Sequence, residues 1–89
     1  MARVEFTGQL RRFLPVEATH APGDTVRAVL DAALAGNPRL RHYVLDEQGM
    51  LRKHVTVFVD GAQIRDRIGL SDAVGAGAEV YVLQALSGG

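Results

Sequence analysis

His54-Val55-Thr56-Val57-Phe58-Val59-Asp60-Gly61 is the stretch that decides the fold. It is rich in β-branched residues and alternates, with Val55, Val57 and Val59 on one side and Thr56 and Phe58 on the other, the period of a strand with one buried face. Asp60-Gly61 then signals a tight hairpin turn, because these residue types tolerate positive φ, and a short strand is expected over Ala62 to Ile64. Further on, Leu70 to Val74 reads as a single helical turn and Gly75 to Glu79 as a loop. Val80 to Ala85 reads as the last strand, with Val80 and Val82 on one face and Tyr81 and Leu83 on the other. A tail of Leu86, Ser87, Gly88 and Gly89 follows.

Working back from the same stretch, Val4 and Phe6 alternate with Arg3, Glu5 and Thr7 as a first strand. Val16 to His20 forms a second short extended run, closed by Ala21-Pro22-Gly23. The two should pair as a hairpin around the loop that carries Leu10, Arg11, Arg12 and Phe13. Asp24 or Thr25 can cap a helix in which Val26, Val29, Leu30, Ala33 and Leu34 fall on one face, with Gly36 and Pro38 stopping it near Ala35. Between Asn37 and Lys53 the pattern is irregular. Leu40, Tyr43, Val44 and Leu45 are expected to cover the end of the core before a turn at Asp46 to Gly49. The order predicts an α+β domain of two layers: a β-grasp arrangement over residues 1–85, with a four- to five-stranded mixed sheet and one main helix packed on one face. Residues 86–89 are left as a flexible tail.

Composition narrows the function. Eighty-nine residues hold one domain, and 47% hydrophobic against 22% charged residues suits a modest globular core. Ten Lys plus Arg balance ten Asp plus Glu, so the electrostatic footprint of a dedicated nucleic-acid or membrane-surface binder is missing. There is no cysteine, which excludes disulfides, thiolate metal sites and a cysteine nucleophile. No signal-peptide pattern follows Met1 and no run reaches the roughly 20 apolar residues of a membrane span, so the expected location is the cytoplasm.

Most catalytic patterns fail. His20, His42 and His54 have no paired metal-ligand spacing, so no metal site is expected. Ser71-Asp72 reads as capping residues rather than part of a triad, and Gly75-Ala76-Gly77 precedes a strand instead of a phosphate-binding helix. Two basic clusters, Arg39-Leu40-Arg41-His42 and Arg52-Lys53-His54, read first as a solvated face. Their functional alternative is docking on an acidic protein patch, favoured over nucleic acid by the zero net charge and few aromatics.

The end of the chain is more informative. Two closing glycines occur by chance in roughly one chain in 200. Here they end a four-residue tail that would reach about 14 Å past the last strand. Glycine lets backbone thread a narrow channel and leaves the terminal carbon open. The terminal carboxylate of Gly89 is ionised at neutral pH and a poor electrophile until a partner converts it to an anhydride or ester. If the valines face the helix, Phe58, Tyr81 and Leu83 form an apolar cluster on the opposite sheet face, leading to Leu86 and the tail, and such a cluster reads as a partner-docking face.

These residues resemble the small ubiquitin-like sulfur carriers of the molybdopterin-synthase small-subunit and thiamine-carrier type. The resemblance runs over most of the chain and is most specific at His54 to Gly61, Leu70-Ser71-Asp72, Gly77 to Val80 and Gly88-Gly89. Leu51 to Gly61 and the Ser-Gly-Gly ending look closest to the mycobacterial carrier that feeds cysteine synthesis. Ala78 stands where the family often has an acidic residue, and the extra length around Asn37 to Lys53 separates the chain from minimal thiamine carriers. The resemblance implies a non-catalytic carrier, or small subunit of a synthase, whose Gly89 is adenylated by an ATP-using E1-like enzyme and converted to a thiocarboxylate with sulfur from a donor. Ser87 and Gly88 would thread with Leu86 into the partner, and a biosynthetic enzyme would accept the sulfur, with no cofactor bound by the carrier itself. Two alternatives stay open: a ubiquitin-like modifier joined through Gly89 to lysines, and a plain interaction domain.

Overall fold

The computed structural model describes residues 1–7, 10 and 18–84. The alternating N-terminal run is β1 (Ala2–Phe6), with Ala2, Val4 and Phe6 buried and Arg3 and Glu5 turned to the other face. Antiparallel to it lies β2 (Ala18–Ala21), Ala2 opposite Ala21 and Glu5 opposite Ala18, so the expected hairpin forms. Val16, Arg11, Arg12 and Phe13 lie outside the described residues, whereas Leu10 is fully buried in the core.

Helix α1 (Val26–Leu34) is capped by Thr25, whose hydroxyl accepts the Ala28 N–H at 3.2 Å. It buries Val26, Val29, Leu30 and Leu34, the stripe that its spacing predicts. Just before it, Gly23 has φ +136°, and a Cβ there would come within 2.7 Å of the Ala28 Cβ. Only glycine lets the chain enter the helix this closely.

Two segments differ from expectation. Residues 37–53 are not irregular throughout but contain a second helix, α2 (Pro38–Val44), capped by the Asn37 side chain accepting from Leu40 N–H at 3.2 Å. Pro38 does not merely stop α1; at the first position of α2 its fixed φ and missing N–H cost nothing. Leu40, Val44, Leu45 and Leu51 join the core, but Tyr43 points out, 39% exposed. The turn at Asp46 does form, its carboxylate accepting the Gln48 and Met50 N–H groups at 2.9 Å each.

Leu70 to Val74 is the second difference: it forms no helical turn and has only a lone bridge at Ala73. The Val26 and Arg27 N–H groups, which have no partner inside α1, donate to the Asp72 and Leu70 carbonyls at 3.0 and 2.9 Å. Serving the helix end in this way requires the segment to run alongside it, bridging Thr25 to Ala73, with Leu70 at φ +56° and wholly buried.

The remaining strands are β3 (Val55–Val59), β4 (Ala62–Gln63) and β5 (Glu79–Gln84). Asp60 and Gly61, at φ +49° and +85°, make the tight turn between β3 and β4. The sheet order is β2-β1-β5-β3-β4, so the last strand in sequence is the middle one in space. It pairs parallel with β1, Phe6 opposite Val82, and antiparallel with β3, Val55 opposite Gln84. Val55, Val57, Val80 and Val82 meet α1 and α2 in one hydrophobic core, with Val59 packed at its margin. The result is a five-stranded mixed β-grasp sheet, within the four to five strands expected, with α1 as the main helix and the shorter α2 beside it.

Candidate functional site

The sheet face away from the helices carries the three residues singled out for docking. Strand alternation and direct pairing put Phe58 opposite Tyr81 and Thr56 opposite Leu83, and cross-strand neighbours of this kind share a face. All three apolar side chains are half-buried rather than fully exposed, each partly covered by its neighbours. Around them, the Arg3 guanidinium donates to the Glu5 carboxylate at 3.0 Å, and the Gln63 amide to the Thr56 hydroxyl at 3.1 Å. Glu5 also sits directly opposite Tyr81. An apolar centre with a polar rim is the anatomy of a protein-binding surface.

Leu86, Ser87, Gly88 and Gly89 lie outside the described residues. Their launching point is within them: Gln84 ends the central strand, beside the start of β3 and the end of β1. Val80, Tyr81 and Val82 of that strand are paired on both sides, with β1 and with β3. The far end of β5 is fixed by Asp60, whose N–H donates to the Glu79 carbonyl at 2.8 Å while its carboxylate accepts the Glu79 N–H at 2.9 Å. Ala78, where the resembled family often has an acid, is buried here, and a carboxylate would lose its hydration at that position.

Side-chain chemistry of the catalytic kind finds no assembled site among the described residues. No group of His, Asp and Glu is placed to hold a metal ion; His20 lies on β2, His42 on α2 and His54 just before β3. The Ser71 hydroxyl donates to Asp66 at 2.6 Å, not to a histidine. Asp72 caps no helical turn; it accepts the Arg65 and Asp66 N–H groups at 3.0 and 2.8 Å. One hollow of about 220 Å³, lined by Asp46, Glu47, Gln48 and Arg52, is below the roughly 300 Å³ at which small-molecule pockets begin. No helix among the described residues is long and apolar enough to cross a membrane.

Sequence reading missed the anchor at Asp66. Its carboxylate takes the Ser71 hydroxyl and the N–H groups of Ile68, Gly69 and Ser71. The Ser71 hydroxyl first, and then the backbone N–H groups, hold its pKa down to about 2. Because the folded value lies below the ordinary aspartate value of 3.8, the stabilisation is complete above that pH and is lost as the pH falls through about 2. Asp66→Asn is therefore expected to melt below the wild type at neutral pH, with the gap narrowing under pH 4 and closing near 2. Thermal melts across that range check this, and a gap independent of pH would contradict it.

The model of the ThiS family matches residues 4–89. Among solved structures, CysO of Mycobacterium tuberculosis, described as an antigen, is 26% identical with a TM-score of 0.81, over 97% of this chain and 100% of that one. SAMP1 of Haloferax volcanii is 26% identical with a TM-score of 0.80, over 99% and 98%. The Amycolatopsis orientalis BexX/CysO complex gives a TM-score of 0.85 over 100% of both chains at 23% identity, a likeness of fold. No curated protein sequence matches the chain.

Proposed function

The chain belongs to the ThiS family, and from that premise we propose that it is a sulfur carrier whose Gly89 is activated by an E1-like enzyme and then carries sulfur as a thiocarboxylate. The observation that carries this reading is the family match, which runs through the Gly88-Gly89 ending. The chemistry balances without any catalytic group on the carrier. The Gly89 carboxylate attacks the α-phosphorus of ATP on the partner and pyrophosphate leaves. A sulfur nucleophile at the oxidation level of sulfide then attacks the acyl carbon, AMP leaves, and a thiocarboxylate remains. ATP is consumed by the partner, and the carrier needs no cofactor of its own. Its contributions are an open acyl carbon on a thin tail, a strand that aims it, and the Phe58, Tyr81 and Leu83 face by which the activating and sulfur-accepting enzymes hold the domain.

Activation is tested by ATP–pyrophosphate exchange with the E1-like enzyme of the same cell. Exchange should depend on this chain and saturate with it; an enzyme active on another carrier but silent with this one would remove the proposal. Leu83→Glu on the docking face should raise the half-saturating concentration at least tenfold, since central interface residues contribute about 2 kcal/mol or more. The melting temperature should barely move, because Leu83 is outside the core.

A second reading, a modifier joined through Gly89 to lysine amines, is favoured by the similarity to SAMP1, which another solved structure describes as a small archaeal modifier protein. Higher-mass conjugates in the host cell that vanish when Gly88-Gly89 is deleted would support it. The same activated acyl group serves both outcomes.

A further inference from the structure

Lys53 is the one lysine among the ten Lys and Arg residues of the chain, and so its one side-chain amine. Arginine keeps its proton in proteins, which leaves it no lone pair for attack on an acyl carbon. Lys53 stands exposed on the turn that leads into β3. The backbone there is fixed: the Arg52 carbonyl accepts the Val55 N–H at 3.0 Å and the Arg67 guanidinium at 2.7 Å. Arg52 is tied in turn to the end of α2, its side chain donating to the His42 carbonyl and its N–H to the Val44 carbonyl. The Lys53 ammonium itself has no hydrogen bond or ion pair with another described residue.

The place of this amine matters. Val55 pairs with Gln84, so Lys53, two residues earlier, stands at the end of the sheet from which the tail departs. Five residues follow Gln84, and extended they carry Gly89 about 17 Å beyond it, whereas a lysine side chain spans only about 6 Å. A tail drawn out into an enzyme's channel therefore holds its acyl carbon past the reach of its own Lys53. The exposed Lys53 of another copy has no such restriction.

We propose that Lys53 is a modification site of this protein, taking the activated Gly89 acyl group of a second copy in an isopeptide bond. The proposal rests on the activation of Gly89 by an E1-like enzyme, and it names one substrate for the modifier reading: the chain itself. The neutral Lys53 amine attacks the carbonyl carbon of the Gly89 adenylate. The bond from that carbon to the phosphate oxygen breaks, its electron pair leaves on AMP, and the nitrogen releases a proton to water. Nothing is oxidised or reduced. Because no other side chain offers an amine, the product carries one side-chain linkage only.

The test separates giving from receiving. A Lys53→Arg chain can give its Gly89 but cannot receive, and a chain lacking Gly88 and Gly89 keeps Lys53 but cannot give. Each is incubated with the E1-like enzyme of the same cell and ATP, without a sulfur donor. Neither alone should form a linked product, and the mixture should form one with the mass of the two chains less one water. Fragmentation should join Gly89 to Lys53. Thermal melting confirms that both variants are folded. A mixture that yields nothing, while wild-type pyrophosphate exchange proceeds, overturns the proposal and leaves the activation reading standing. A bond to the Met1 amine overturns it too, as does a single wild-type chain lighter by one water, which marks closure on its own Lys53. Absence of exchange removes the activation reading and this proposal together.

Discussion

Deleting Gly88 and Gly89 is expected to abolish activation by the E1-like enzyme while leaving the folded domain unchanged. Both halves of that result follow from where the tail begins. β5 is the middle strand, paired on both sides and clamped at its far end by Asp60, and its buried Val80 and Val82 precede the tail. Removing two residues beyond Gln84 therefore takes away none of the described core. Activation needs the terminal acyl carbon at a fixed depth in the partner, and a chain two residues short ends at Ser87, about 7 Å too early. Pyrophosphate exchange should fall to the level without carrier, and the melting temperature should stay within a degree or two. Gly88→Val, full in length but with a branched side chain in the threaded segment, should impair exchange almost as strongly.

Phe6→Ala should give the largest loss of stability. Phe6 is fully buried at the end of β1, opposite Val82 of the strand that bears the tail. Truncating a buried phenylalanine costs about 3–5 kcal/mol, because its transfer energy is lost and the surrounding side chains cannot fill the space. In a domain of this size each kcal/mol moves the melting temperature by roughly 4–8 °C, so a drop of about 15 °C or more is expected by circular dichroism. A change below about 1 kcal/mol would place the core elsewhere. Because β1 is one of two neighbours that hold β5, the variant should also lose protection of the β5 amides against hydrogen exchange.

β1, β3 and β5 are legible because each alternates buried and less buried residues with the period of a strand. Val55, Val57 and Val59 against Thr56 and Phe58 fix the faces of β3, and Asp60-Gly61 fixes the turn. The same reading set Tyr81 and Leu83 beside Phe58. Helix α2 was harder to read because seven residues show only two buried positions, Leu40 and Val44, too few for periodicity to stand out, although Asn37 and Pro38 are a sound helix start. Leu70 to Val74 misled for a different reason. Its conformation is set by hydrogen bonds from the Val26 and Arg27 N–H groups, which are remote in sequence. Asp66 is an anchor of the same kind: its partners are short-range, yet nothing about a lone aspartate announces four donors converging on it.

Intact-mass measurement after incubation with the E1-like enzyme, ATP and a sulfide-level donor decides whether Gly89 carries sulfur. The chain is expected to gain the mass difference of one oxygen replaced by sulfur, with fragmentation assigning it to Gly89 and omission of ATP preventing it. An unchanged mass, with an enzyme shown to charge another carrier in the same mixture, would contradict it.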